Sequence, residues 1–63
     1  MSISLVYNKT LLNAIRVAGK ITYDDLREKF SHMAKVTLDN NLDILVELGY
    51  VIQKDDTYIY IEK

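Results

Sequence analysis

Apolar residues recur along this chain with two different periods, and the change between them falls at a glycine. Over "NKTLLNAIRVA", Leu11 or Leu12, Ile15 and Ala18 return at helical spacing. Gly19 follows where a residue of left-handed backbone would end that helix. The other side of the same helix carries Lys9, Asn13, Arg16 and Lys20, which fall on one polar stripe. Ile21 is a short extended residue. "TYDDLREKF" then opens a second helix: Thr22 is a good N-cap, and Asp25 stands three residues on as a carboxylate variant of the capping box. Leu26 and Phe30, four apart, give this helix its buried edge, and Asp25 and Lys29 can pair along it. "SHM" is read as a turn. A third helix is predicted over about 34–48, with Leu38, Leu42 and Leu45 as its core stripe and Leu48 as a candidate fourth member, stopping at Gly49.

Beyond Gly49 the period falls to two. "YVIQ" and "TYIYIE" flank "KDD", which predicts a β-hairpin over 50–62. Ile59 and Ile61 point to one face of it, Tyr58 and Tyr60 to the other. The pattern leaves open which of these faces Val51 and Ile52 join, because one residue of register flips every side chain. Asp55-Asp56 is a weaker turn signal than Asn-Gly.

Composition narrows the chemistry. Sixty-three residues suffice for one small domain, 1–63, that buries only about 60% of its unfolded surface. Apolar residues at 49% are ample for a folded core and too many for a disordered chain. Without cysteine there is neither a disulfide framework nor a thiolate metal site, and His32 alone cannot build a zinc site; no metal or cofactor is expected. No apolar run approaches the ~20 residues of a membrane span, and the N-terminus lacks a signal-peptide pattern, so a soluble cytoplasmic protein is expected. The leading methionine and a pattern that runs from end to end are read as a whole gene product. The two adjacent acid pairs, Asp24-Asp25 and Asp55-Asp56, belong to a helix start and a turn. Nucleophile–base order, phosphate-cradling glycines and metal spacing are all missing, so an enzyme is not expected.

The order helix, short strand, helix, turn, helix, hairpin resembles the winged helix-turn-helix superfamily from about residue 5 to residue 62. The residues that carry the resemblance are Ile15, "KIT" at 20–22, Leu26, "VTLDNNLDIL" at 36–45 and "LGYV" at 48–51. It implies an α+β fold of three helices with a small antiparallel β-sheet, whose hairpin is the wing. It also implies a sequence-specific DNA-binding transcriptional regulator, with double-stranded DNA as partner and the third helix in the major groove. Winged helices also serve as protein-docking modules, so a partner protein held by helix 3 and the hairpin is the alternative.

Under the DNA reading the N-terminal half of the third helix meets the bases. Asn40 or Asn41 can pair bidentately with adenine, Thr37 can meet a thymine methyl, Asp39 can accept from cytosine, and Lys35 can reach a phosphate or a guanine. Ser31, His32 and Lys54 are the expected backbone contacts from the turn and the wing. Charge pulls the other way. Residues 1–30 hold five cations against three anions, but residues 31–63 hold three against six, and Asp39, Asp43 and Glu47 all fall on the third helix. The bland reading makes these residues an ordinary solvated face.

Apolar residues also exceed what one core can take. Val36, Ile44 and Val46 lie off the main stripe of the third helix, and Met1, Ile3, Leu5 and Val6 precede the first. Such a surplus marks an interface. The expectation is a homodimer through the N-terminal segment or the hairpin, with Leu5, Tyr58 and Tyr60 as contacts. The competing arrangement folds the N-terminal segment over the hairpin within one chain.

Overall fold

The computed structural model describes residues 7–62. The element order is α1 (Lys9–Ala18), β1 (Lys20–Thr22), α2 (Tyr23–Lys29), α3 (Lys35–Glu47), β2 (Val51–Lys54) and β3 (Thr57–Tyr60). The three strands form an antiparallel sheet in the order β1-β3-β2. This is the α+β class, three helices against a small sheet, and each predicted element lies within a few residues of its expected place.

The ends of the helices follow from local chemistry. Asn8 caps α1, its side chain accepting from the Thr10 and Leu11 amides at 2.8 and 3.2 Å. Thr22 caps α2 by accepting from Asp25 N. Gly19 ends α1 at φ 78°, a sign that L side chains seldom take. At the end of α3, Gly49 at φ 83° lets the chain fold back: its amide donates to Val46 O, and Tyr50 N donates to Leu45 O. That paired closure satisfies two of the carbonyls the helix end would otherwise leave open.

The core is Leu11 and Ile15 from α1, Leu26 from α2, Leu38, Leu42 and Leu45 from α3, and Val51 and Tyr58 from the sheet. Ile21, Phe30, Met33 and Tyr60 pack around it, half-buried. Leu42 and Leu45 thus share a core with Ile15 and Leu26, as the helical phase requires. Leu48 is not a fourth core leucine; it stands at the helix end, 38% exposed.

The hairpin settles the register that the pattern left open. A two-residue turn, Asp55-Asp56, with Asp55 at φ 55°, places Lys54 opposite Thr57 and Val51 opposite Tyr60. Val51, Tyr58 and Tyr60 therefore share the inner face with Ile21, while Ile52, Ile59 and Lys20 form a row across the outer face. This corrects the expectation that Tyr58 is a surface contact. It is 5% exposed and belongs to the core. A large ring fills more of a thin core than an isoleucine does, and its polar tip tolerates the rim. Leu5, the other expected dimer contact, lies outside the described residues. Tyr60 is half-buried against the core.

Candidate nucleic-acid interface

The first residue of α2 joins the hairpin to α3. Tyr23 N donates to Asp56 O in the hairpin turn at 2.7 Å. The hydroxyl at the other end of the same residue donates to Asp39 Oδ1 at 2.5 Å. Asp39 Oδ2 in turn accepts from Lys35 Nζ, one helical turn back, at 2.8 Å. The Lys35 ammonium lies 6.0 Å from the centre of the Tyr23 ring. The start of α3 and the tip of the hairpin are thus held together around one tyrosine.

The charges in this cluster are mutually tuned. Lys35 first, and Tyr23 second, hold the Asp39 carboxyl below its ordinary value, with Arg27 adding a smaller attraction. Asp39 raises the Lys35 ammonium above its own. Burial, with the nearby charges of Asp43 and Asp39, pushes the Tyr58 hydroxyl up. The acid at position 39 is therefore engaged within the protein. Asp43 and Glu47 are both exposed, and they lie in the C-terminal half of α3.

The expected contact residues separate into two groups. Ser31 and His32 are exposed in the turn between α2 and α3; Lys35, Thr37 and Asn40 are exposed on the first half of α3; Lys54 is exposed at the end of β2, next to the turn that Tyr23 grips. Asn41 belongs elsewhere. Its Oδ1 accepts from Asn8 N at 2.6 Å, and its Nδ2 donates to Thr37 O at 2.8 Å. It ties the start of α1 to α3, so the structure employs it in the fold and leaves Asn40 as the outward asparagine. The polar stripe of α1 is exposed, and within it Arg16 Nη2 donates to Asn13 Oδ1 at 2.5 Å.

One residue of the site, Tyr23, escaped the sequence reading. The Lys35–Asp39 pair was legible, since the two stand four apart on a helix. Tyr23 was not: nothing in "TYDD" shows that its ring reaches a residue sixteen positions away. The N-cap of α3 is Ala34, which offers no side-chain acceptor, so the first amides of the helix have no side-chain cap. Among the described residues no group of three or more acidic or imidazole side chains is placed to hold a metal ion, and no helix is long and apolar enough to cross a membrane.

Comparison with protein families, with curated proteins and with solved structures gives no match to this chain.

Proposed function

We propose that this protein is a winged helix-turn-helix DNA-binding regulator, with α3 in the major groove and the β2–β3 hairpin as its wing. The observation that carries the reading is the Tyr23 junction, which fastens the hairpin turn and the first half of α3 into one exposed surface. A helix read at its N-terminal half, with a hairpin beside it to reach the backbone, is the arrangement such a protein needs. Element order and strand order agree with it. Thr37 and Asn40 supply groove chemistry, Lys35 reaches a phosphate or a guanine, and Ser31, His32 and Lys54 supply backbone contacts. The uncapped start of α3 adds amides and a positive dipole end that favour a phosphate. The acidity of α3 is a smaller obstacle than composition implies, because Asp43 and Glu47 lie in its C-terminal half and Asp39 is bonded to Tyr23 and Lys35 in the free protein.

A second reading is favoured by one observation. Val36, Asn40, Asp43 and Glu47 form a single outward stripe of α3, and Val36 is 65% exposed. An apolar residue on an acidic face suits a protein partner. A dimer through the hairpin would use its exposed Ile52 rather than the buried Tyr58.

Fluorescence anisotropy against the protein's own upstream DNA, titrated with salt, separates the readings. Under the DNA reading, Asn40→Ala costs about 1–3 kcal/mol on the preferred site and relaxes preference at one base position. Lys54→Ala weakens all sequences alike and flattens the salt slope by about one unit. Failure of the wild type to bind any duplex at low salt would sink the DNA reading in favour of the docking surface.

A further inference from the structure

The same cluster carries a statement about selectivity, which rests on the DNA reading. Lys35 is the one cation on α3, and it is not idle: its ammonium is already bonded to Asp39. Asp39 is held from a second side by Tyr23, so its carboxylate stays aimed at the lysine. The pair is accessible, with side chains 66% and 37% exposed, so a phosphate approaching α3 reaches Lys35 without any rearrangement of the core. An ion pair this exposed is readily opened.

We infer that Asp39 is an internal competitor for Lys35, occupying the lysine against duplex phosphate and thereby suppressing sequence-independent binding by α3. A phosphate gains Lys35 only by displacing a carboxylate already in place. The backbone contact thus delivers less affinity than a free lysine would. Contacts to base edges, which Asp39 does not oppose, are left to decide where the protein stays. This differs from plain repulsion between Asp39 and DNA. Repulsion acts whether or not Lys35 is present; competition acts only through Lys35.

A double-mutant cycle on random-sequence duplex distinguishes them. Asp39→Asn is the suitable change, because its amide oxygen can still accept from the Tyr23 hydroxyl while the charge that holds Lys35 is lost. In the wild-type background Asp39→Asn should tighten binding about threefold or more at low salt and steepen the salt slope by about one unit, the signature of one added phosphate contact. In a Lys35→Ala background the same change should do far less, giving a non-additivity of about threefold or more. Thermal melts of the four proteins confirm that each is folded at the assay temperature. Equal gains in both backgrounds, with wild-type binding intact, overturn the competition and leave the DNA reading standing. Absence of duplex binding by the wild type overturns both.

Discussion

Two neighbouring asparagines on α3 have opposite employment. Asn41 bonds to Asn8 N and Thr37 O, while Asn40 is exposed on the outward stripe. Replacing Asn41 by alanine removes two hydrogen bonds, each worth about 0.5–1.5 kcal/mol net. The better helix propensity of alanine, about 0.6 kcal/mol, offsets part of that. Asn41→Ala should therefore destabilise by about 0.5–2.5 kcal/mol. Asn40→Ala gains the propensity and loses no bond to α1, so it should be neutral or slightly stabilising. Urea denaturation of the two variants reads the difference directly. Equal shifts would mean that the tie between α1 and α3 is not made in solution.

At the scale of elements, α2 and α3 meet through Tyr23, Asp39 and Lys35, and that contact predicts a pH profile. The carboxyl of Asp39 is lowered below 3.8 in the folded protein, first by Lys35. Its contribution to stability is fully present above its unfolded value, about 4, and is lost as pH falls through the lower folded value. Lys35 is raised above 10.5, so its contribution holds below about 10.5 and is lost as pH rises through the higher folded value. The alkaline limb is shared with Tyr7, raised first by its hydrogen bond to Tyr50, and with Tyr58, raised first by burial. The acid limb is the diagnostic one. Between about pH 5 and 2, the denaturation midpoint of the wild type should fall more than that of Asp39→Asn. Matching acid limbs would show that the pair is not formed. High salt should shrink the difference, since the pair is exposed.

Across the described residues the core is small, and every element except β1 contributes a buried residue to it. Leu45 is one of three leucines that α3 places there, fully buried among residues of both other helices and the sheet. Leu45→Ala should cost roughly 2–5 kcal/mol. Small domains hold only about 5–15 kcal/mol in total, so much of the population should unfold under mild denaturant. A cost below about 1 kcal/mol, measured by urea titration, would contradict the burial of this side chain.

The number, order and phase of the helices were readable from the chain, because helical period, caps and glycine stops are local. Leu38, Leu42 and Leu45 had to share one face, and Thr22 and Gly49 marked their boundaries without reference to anything distant. The hairpin was legible as a hairpin but not as a surface. Its inner face depends on whether the turn holds two residues or three, and both faces carry residues fit for burial. Tertiary structure put Tyr58 inside by pairing Lys54 with Thr57. The candidate site divided the same way. Residue types suited to a groove could be read on α3, but whether Asn40 or Asn41 faces outward depended on where the start of α1 lay. The grip of Tyr23 on Asp56 and Asp39 joins parts of the chain separated by 33 and 16 positions. No local period encodes such a contact, because it exists only after the helices and the sheet have packed.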